Sequence, residues 1–406
     1  MKLIYIANTR LPTEMAHGLQ IMKMCEAFSK LKIKSQKLKV ELIVPMRFST
    51  FQLIGKDPFE YYKTEKIFKI RKIFSFDLTP LNRFLGPVSF LIQAFSFSFF
   101  TFIYLFFKKA DIVYSRDRFS LFFTSFVKKN LIFEVHKIHK ICFWGILKRV
   151  KKIIVISSGL KDVLLRQGIK EDKILVAPDG IDLEDFESVE TDICKLSSPS
   201  RNVQINADWI KKECRKKIDL PIEKKLVVYT GHLYKWKGIE TLALASRYLP
   251  NDTLVVIIGG IKWYLSNFKK FVKKKGLKKI RILGHQDYFK ISYFLKSADC
   301  LVLTGTKKLE VSRRYTSPMK MFEYMASKRP IIASDLPSFR EVLNQNNAVL
   351  VEPDNPRALA EGVKRVLENP DLAKRISEQA YKDVQKYTWE RRAKKIIKFI
   401  GLLRKN

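Results

Sequence analysis

Short apolar runs alternate with segments of helical hydrophobic spacing along most of this chain. Residues 2–7 form an apolar run, residues 8–18 form a polar loop, and apolar side chains then recur at helical spacing from 21 to 31. This order of strand, loop and helix predicts the opening of a doubly wound α/β domain. The same pattern predicts further strands at 40–44, 111–115, 131–135, 153–156 and 174–177. Residues 45–83 show no clear pattern, and we assign no elements there.

The alternation restarts in the second half of the chain. It predicts strands at 226–230, 253–258, 280–283, 300–303, 331–333 and 348–351, with helical segments between them. We therefore predict two doubly wound, Rossmann-like domains, over residues 1–182 and 226–387, facing a central cleft. The polar stretch 183–225 is interpreted as a linker with an entry helix. A C-terminal helix at about 388–406 could pack back on the first domain.

Two segments raise the question of a membrane. Residues 84–107 contain no charged residue, and their length would suffice to span a bilayer. A spanning helix would place the strands predicted on its two sides on opposite sides of the membrane. We therefore expect a helix that is either buried against the sheet or lies on an acidic membrane surface, because Lys108 and Lys109 follow its many phenylalanines. The basic amphipathic segment 394–400 could be a solvated face or a second membrane contact.

Charge favours an anionic partner. The 406 residues include 77 Lys and Arg against 40 Asp and Glu, a formal net charge of +37. The basic residues are spread along the chain without the aromatic signature of RNA-binding modules, so we predict no nucleic-acid partner. Composition drift toward lysine is the alternative for part of this charge.

Cysteine usage and the N-terminus favour the cytoplasm. The five cysteines are odd in number and far apart, which argues against a disulfide framework or a structural zinc site. They are Cys25, Cys142, Cys194, Cys214 and Cys300. The first residues read as a strand and not as a signal peptide. No Asp-x-Asp occurs, so the sequence offers no obvious metal site.

The segment 317–326, SPMKMFEYMA, predicts the start of a helix. Ser317 is a good N-cap and Pro318 suits the first helical position. The free N–H groups and the helix dipole would then form an anion site. Glu323 lies about a turn and a half further on, on the face of Met319 and Lys320, where its carboxylate could accept hydrogen bonds from a ribose. The segment therefore predicts a nucleotide-diphosphate site, with a merely solvated glutamate as the alternative.

Other loops follow the carboxyl ends of predicted strands, where ligands of such sheets bind. His136 follows the strand at 131–135, and the loop with His232 and Lys237 follows the strand at 226–230. Lys237, His232 and the N–H groups at 317–320 could converge on one diphosphate, with His136 opposite. A hydrogen-bonded histidine at a strand end and a solvated lysine are the alternatives.

Taken together, these motifs resemble those of the GT-B-fold, retaining glycosyltransferases of family 4. The likeness covers nearly the whole chain and is carried by PTEMAHG at 12–18, EVH at 134–136, VAPDGID at 176–182, YTGH at 229–232 with Lys237 and Gly238, SPMKMFE at 317–323, ASDLP at 333–337, and Glu341. Each motif alone is weak, whereas together they are specific.

The resemblance implies roles for individual residues. Lys237 would stabilise the leaving diphosphate, and Glu323 would hold the ribose as the second glutamate of the family's Glu-x7-Glu motif. His136 would lie near the reacting sugar and Gly18 near the donor phosphates; a turn glycine is the alternative for Gly18. The candidate catalytic residues are thus His136, Lys237 and Glu323. The candidate donor-binding residues are His17, Gly18, Gln20, Gly231, His232, Ser317, Pro318, Met319, Lys320 and Glu341.

The chain departs from the family pattern at two positions. Tyr315 stands where the motif has its first glutamate, and His232 stands where many members have an arginine. The first departure leaves the handling of the donor sugar open. The second removes a fixed positive charge, and His232 could donate a hydrogen bond instead. Glu341 could also pair with Arg340 or a nearby lysine instead of binding donor.

The predicted function is therefore metal-independent, retaining transfer of a sugar from a nucleotide-diphosphate sugar to a glycan or lipid-linked acceptor. The nucleotide sugar is a co-substrate, and no further cofactor is expected. Synthesis of a cell-surface polysaccharide or glycolipid would place the protein in the cytoplasm, on the acidic inner membrane face if it is peripheral. The alternatives are a GT-B-fold sugar-nucleotide epimerase or hydrolase, and a catalytically inactive polyanion-binding protein.

Overall fold

The computed structural model describes residues 1–33, 35–48, 53–138, 143–197 and 206–402. The chain divides into two compact units. The first comprises Met1–Asp179 and Trp389–Asn406, and the second comprises Gly180–Thr388. The chain thus leaves the first unit once and returns to it with its last helix.

A parallel sheet forms the centre of the first unit. Among the described residues, the strands are β1 (Lys2–Ile6), β2 (Lys32–Ile33), β3 (Gln36–Lys37), β4 (Lys39–Pro45), β5 (Lys69–Ile73), β6 (Ile112–Ser115), β7 (Leu131–Val135), β8 (Lys152–Val155) and β9 (Ile174–Val176). The sheet runs in the order β5-β4-β1-β6-β7-β8-β9, while β2 and β3 pair separately. The interior strand β1 is apolar because both faces of such a sheet are covered, and Leu3 to Ile6 are fully buried.

The structure adds three strands that the sequence pattern did not reveal, the short pair β2 and β3 and the edge strand β5. Strand β5 reads KIRKI and pairs with β4 at the edge of the sheet, where its cationic side chains reach solvent. An edge strand needs no continuous apolar run, which is why 45–83 gave no strand signal.

The helices of the first unit follow its strands. Their bounds are Ala16–Lys30, Pro58–Tyr61, Asn82–Leu85, Pro87–Phe107, Arg118–Thr124, Phe143–Arg149, Ser158–Arg166 and Trp389–Phe399. The last of these packs against the first, and Ala393, Ile396 and Ile397 are buried in the contact. The apolar side of 394–400 is therefore covered by protein, and contact of its basic side with a membrane stays a prediction.

The second unit contains another parallel sheet. Its described strands are β10 (Lys225–Thr230), β11 (Thr253–Ile258), β12 (Ile280–Gly284), β13 (Cys300–Leu303), β14 (Ile331–Ser334) and β15 (Val349–Val351). They run in the order β12-β11-β10-β13-β14-β15. Successive side chains alternate between two cores, so that Val228 and Leu301 pack on one face and Val227 and Val302 on the other. The helices are Glu184–Ser197, Ala207–Lys217, Ile239–Ala245, Lys262–Lys274, Tyr288–Lys296, Glu310–Arg313, Met319–Ala326, Pro337–Arg340, Pro356–Leu367 and Pro370–Val384.

The stretch interpreted as a linker is largely structured. The helices Glu184–Ser197 and Ala207–Lys217 belong to the second unit, where Val189 packs with Ile210 and Cys214. Residues 198–205 of this stretch lie outside the described residues. The two helices thus extend the second unit beyond the boundary that we predicted at 226.

Arg215 anchors the second of these helices. It is buried, and its guanidinium donates to the carbonyls of Ser297 (2.9 Å), Ile222 (2.8 Å) and Lys224 (2.9 Å) and to the Asp299 carboxylate (2.5 Å). Three stretches of the unit are therefore joined through one side chain.

We expect Arg215→Met to destabilise the second unit by about 3–5 kcal/mol, because it strips a partner from the Asp299 carboxylate and leaves buried carbonyls unpaired. Native-state hydrogen exchange of the β10 amides would measure the loss. Lys212→Met, on the exposed side of the same helix, is the control and should change stability by less than about 0.5 kcal/mol. Equal effects of the two substitutions would contradict the anchoring role.

Candidate functional site

The loop after β10 is held rigidly at the carboxyl end of the second sheet. Gly231 leaves the strand with φ +121°, and Gly238 ends the loop with φ +65°. A Cβ on Gly238 would lie 2.8 Å from the carbonyl oxygen of Gly305, so only glycine permits this close approach. The Thr304 hydroxyl also donates to the Lys237 carbonyl at 2.7 Å. The loop is thereby tied to the chain that follows β13.

Aromatic rings line the same loop. The rings of Tyr234 and Trp236 stack with centroids 6.1 Å apart, and the Lys237 ammonium lies 3.9 Å from the Trp236 centroid. The Tyr229 hydroxyl donates to the His232 carbonyl at 3.0 Å. His232 and Lys237, both predicted as site residues, therefore belong to one ordered loop.

The helix at 319–326 begins one residue later than predicted. It spans Met319–Ala326 with Pro318 as its N-cap residue, so Ser317 lies before the cap and the predicted Ser317 cap is wrong. Pro318 is extended, with ψ 123°, and its carbonyl accepts from the Met321 N–H at 2.9 Å. A proline in this conformation can begin the helix without a serine cap. The amides at 319 and 320 still stand at a helix N-terminus.

Tyr324 joins this helix to the end of β10. Its hydroxyl accepts from the backbone N–H of Thr230 at 2.9 Å and lies 3.3 Å from the Thr230 hydroxyl. Tyr324 was not among the predicted site residues, since a helical tyrosine carries no local sign of such a bond. It fixes the helix beside the loop that begins at Gly231.

Lys320 is buried at the junction of the helix and the loop. Its side chain is 8% exposed, and its ammonium lies 3.6 Å from the Tyr229 ring centroid without a hydrogen-bond partner among the described residues. A Cβ on Gly231 would lie 3.8 Å from this nitrogen. Burial, and then the charge of Lys237, hold the pKa of Lys320 well below its usual value. The site thus holds two amines, and the inner one, Lys320, feels the charge of Glu323 but has no hydrogen-bond partner among the described residues.

Glu323 lies beside Lys320, as the helical spacing predicted. Its carboxylate is also 8% exposed, and burial followed by the charge of Asp185 raises its pKa to about 7, against the opposing effect of Lys320. Asp185 also hydrogen-bonds the half-buried Tyr288, whose pKa is raised by desolvation and then by Glu323. Asp185 belongs to the first helix of the second unit, in the stretch interpreted as a linker, which is why it was missed.

Glu341 is the last of the predicted donor-binding residues of this unit. It follows the short helix Pro337–Arg340, and its charge acts on the pKa of Tyr387, which burial chiefly raises. Arg340 pairs with both oxygens of Asp335, one of them at 2.7 Å. The predicted alternative partner of Glu341 is therefore engaged elsewhere.

In the first unit, a buried carboxylate organises the remaining candidates. Glu134 on β7 accepts hydrogen bonds from Gln20 (2.8 Å), His136 (2.8 Å) and Arg392 (2.7 Å), and from the Tyr114 hydroxyl. Although burial opposes ionisation, Arg392 and then His136 lower the pKa of Glu134 well below its usual value. Arg392 comes from the last helix, more than two hundred residues away, so no local pattern could have indicated this pair.

Gln20 and His136 are both held by this network. The Gln20 amide also donates to Asp179 at 3.0 Å and accepts from Arg116, which leaves it fully engaged within the first unit. Burial, and then Arg116, lower the pKa of His136. His136 is therefore a hydrogen-bonded histidine at a strand end, which was the alternative to a role in catalysis. Its ring is also partly exposed to solvent, so a role near the sugar stays a prediction.

His17 and Gly18 occupy the first turn of the helix Ala16–Lys30. The His17 ring lies 2.8 Å from the Thr9 hydroxyl. A Cβ on Gly18 would lie 2.2 Å from the Tyr62 hydroxyl, which both donates to and accepts from the backbone of Thr13 at 2.7 Å. Packing against Tyr62 thus accounts for a glycine at this position, and the predicted role near phosphate stays a prediction.

No group of three or more His, Cys, Asp or Glu side chains that could hold a metal occurs in the described residues. The described cysteines Cys25, Cys194, Cys214 and Cys300 are free thiols, and Cys142 lies outside the described residues. Metal independence stays a prediction.

Comparisons with known proteins agree with this architecture. Residues 210–383 match the family described as Glycosyl transferases group 1, a segment that holds Lys237, Lys320 and Glu323. An uncharacterised glycosyltransferase of Methanocaldococcus jannaschii is 24% identical over 75% of this chain and 71% of its own length. The putative teichuronic acid biosynthesis glycosyltransferase TuaC of Bacillus subtilis is 25% identical over 43% of this chain and 41% of its own length.

A solved structure extends the likeness to the whole chain. Anabaena HepE, in complex with UDP and glucose, aligns with a TM-score of 0.71 at 14% identity and covers 99% of this chain and 100% of its own. At that identity the likeness shows the fold alone. The two parallel-sheet units are Rossmann-like units of the GT-B fold, as predicted. The family match and the relatives' names support transferase activity.

The raised pKa of Glu323 makes stability depend on pH. The native state holds this proton more tightly than the unfolded chain, so Glu323 lowers the free energy of unfolding as pH rises from about 4.5 to about 7. We expect Glu323→Gln to be more stable than wild type by about 1–3 kcal/mol near pH 8, with the difference vanishing toward pH 4.5.

Urea unfolding across this pH range would measure the difference. Glu378→Gln, an exposed position on the helix Pro370–Val384, serves as the control and should follow the wild-type profile. A pH-independent difference for Glu323→Gln would show that Glu323 is not the titrating group.

Proposed function

We propose that this protein transfers a sugar from a nucleotide-diphosphate sugar to a glycan or lipid-linked acceptor, as a retaining glycosyltransferase of family 4 that needs no metal ion. The observation that carries the proposal is the buried Lys320 ammonium beside Lys237. Two adjacent amines at a helix N-terminus form a site for a ligand that carries at least two negative charges. A diphosphate is such a ligand.

The proposed chemistry uses these charges when the donor breaks. The bond between the anomeric carbon and the β-phosphate oxygen breaks, a bond from that carbon to the acceptor oxygen forms, and the proton of the acceptor hydroxyl passes to an oxygen of the departing phosphate. Negative charge grows on the departing nucleoside diphosphate. Lys237, Lys320 and the amides at the start of the helix Met319–Ala326 would stabilise that charge, as fixed donors do in other group transfers.

Glu323 would bind the ribose. A carboxyl group with a pKa of about 7 can accept a hydrogen bond from a ribose hydroxyl when it is ionised, and it can donate one when it is protonated. The ammonium of Lys320 favours the ionised form, and a bound diphosphate would keep that ammonium protonated. Donor binding and ionisation of Glu323 are therefore expected to be linked through Lys320.

His136 would act on the sugar through its second nitrogen. Its Nε2 faces the ionised Glu134, so Nε2 carries the proton and Nδ1 keeps its lone pair. The lowered pKa keeps the ring neutral near pH 7. A neutral histidine in this tautomer can accept a hydrogen bond from a sugar hydroxyl. We retain His17, Gly18, Gln20 and Glu341 as weaker candidates for donor binding.

The relatives guide the choice of donor and setting. HepE was solved with UDP and glucose, and TuaC is named for teichuronic acid biosynthesis. We accordingly propose a nucleotide-sugar donor and a role in cell-surface polysaccharide or glycolipid synthesis. The proposed location is the cytoplasm, with the protein peripheral on the inner membrane face.

Lys320→Met separates stability from binding. It removes a buried ammonium without a hydrogen-bond partner, so the ligand-free protein should become more stable by about 1–3 kcal/mol. Nucleoside diphosphates should bind it at least roughly tenfold more weakly. Thermal melting measures the first effect, and calorimetric titration with UDP, GDP and ADP measures the second. Lys374→Met, an exposed lysine far along the chain, should change neither. Unchanged nucleotide binding by Lys320→Met would contradict the site.

Transfer itself is tested with the nucleotide that gives the largest thermal shift, offered as its sugar conjugates. Lys237→Ala should lower the rate of transfer by about 10²–10³. Rapid epimerisation or hydrolysis without transfer in the presence of acceptor extracts would favour a sugar-nucleotide epimerase or hydrolase. Lys237→Ala and Glu323→Ala variants that keep both nucleotide binding and biological activity would favour an inactive polyanion-binding protein.

A further inference from the structure

The apolar helix Pro87–Phe107 has its polar side turned inward. Ser89, Gln93, Ser98 and Thr101 all lie on the inward side of the helix, and each is fully buried. The amide nitrogen and oxygen of Gln93 and the hydroxyl of Thr101 have no hydrogen-bond partner among the described residues. Burying unpaired polar atoms costs free energy. Most of the large apolar side chains of this helix, in contrast, are exposed to solvent.

The outward side is almost wholly apolar. Phe106 is 61% exposed and Phe107 is 79% exposed, while Phe84 on the preceding short helix is 83% exposed. We call this surface the apolar face. It consists of Phe84, Leu85, Val88, Phe90, Leu91, Ile92, Phe95, Phe99, Ile103, Phe106 and Phe107, with Phe122 and Phe126 from the adjoining segment. Exposed apolar surfaces of this extent mark interaction sites.

The helix is fastened to the first unit along its length. Near its start the Ser89 hydroxyl donates to Asn82 at 3.2 Å, and near its end the Tyr104 hydroxyl donates to Glu41 on β4 at 2.7 Å. In between, Ser98 lies 3.2 Å from Ser120. By length and composition this helix could cross a membrane, and it is the one such helix among the described residues. Crossing would break these contacts, whereas lying flat keeps them.

Cations border the apolar face. Arg83 precedes it, Lys108 and Lys109 follow it, and all three are exposed. The Arg149 guanidinium lies 4.8 Å from the Phe126 ring centroid and 5.3 Å from that of Phe122. Aromatic and aliphatic side chains inside a basic border complement the surface of an anionic bilayer, with its apolar interior and negative headgroups.

We propose that the apolar face is a membrane-docking surface, on which the helix Pro87–Phe107 lies in the plane of an anionic lipid bilayer with its polar stripe toward the protein. The inference deepens the proposed peripheral location and rests on it, but not on the assignment of the donor site. A helix of 21 residues is about 31 Å long, so its whole exposed side can enter the headgroup region at once. The border cations would then meet lipid phosphates.

The test is flotation of the full chain with vesicles of phosphatidylcholine alone and of phosphatidylcholine mixed with an equal part of phosphatidylglycerol. We expect binding to the mixed vesicles, weakened as salt rises above about 0.1 M. The double variant Phe84→Ser with Phe107→Ser should bind at least roughly tenfold more weakly. Both positions are exposed, so the variant should fold. The matched control, Ile222→Ser with Tyr248→Ser, replaces exposed apolar residues of the second unit and should bind like wild type.

Several results would overturn the proposal. These are equal vesicle binding by the two double variants, no binding by the wild-type chain, or resistance of bound protein to extraction by alkaline carbonate, which would indicate a spanning helix. Concentration-dependent dimerisation that the Phe84 and Phe107 substitutions abolish, without vesicle binding, would assign the face to a second copy of this chain. Thermal shifts with nucleoside diphosphates, measured on the same variants, keep this outcome separate from failure of the donor site.

Discussion

The bond between the Tyr324 hydroxyl and the Thr230 backbone N–H is the contact on which the second unit's site depends. It places the first turn of the helix Met319–Ala326 against the end of β10, where Gly231 begins the loop that carries Lys237. Lys320 is consequently buried beneath that loop and within electrostatic reach of Lys237. This position is what exposes the pKa of Lys320 to the lowering effect of the Lys237 charge.

This arrangement opposes stability in the free protein. A buried ammonium without a hydrogen-bond partner and a carboxyl that prefers its proton both disfavour the folded state. The parallel sheet offsets them, since β10 and β13 are buried on both faces. At the centre of the first unit, by contrast, the buried Glu134 carboxylate receives the Arg392 charge and several hydrogen bonds. The second unit is therefore the better prepared for an anion.

The features that could be predicted from the sequence are those that depend on a local pattern of residues. Buried parallel strands are apolar runs, so β7, β11 and β13 were predicted to the residue, whereas the cationic edge strand β5 gave no such signal. Helical spacing likewise put Lys320 and Glu323 on one face. It could not reveal partners brought together by tertiary folding. Asp185 beside Glu323 and Arg392 beside Glu134 join segments far apart in sequence, and their identities carry no trace of the pairing.

The apolar helix and the lysine site share one physical feature. In each, the folded protein leaves groups without a matching neighbour: phenylalanines exposed to solvent in the first case, and a buried amine without a hydrogen-bond partner in the second. A core helix would bury Phe90 and Phe99 and expose Gln93, and a structural lysine would reach a carboxylate. Because folding alone rewards neither arrangement, their presence in one chain is most simply explained by ligands that complete them. An anionic bilayer would cover the exposed phenylalanines, and an anionic diphosphate would pair with the buried amine. The net positive charge of the chain would attract both.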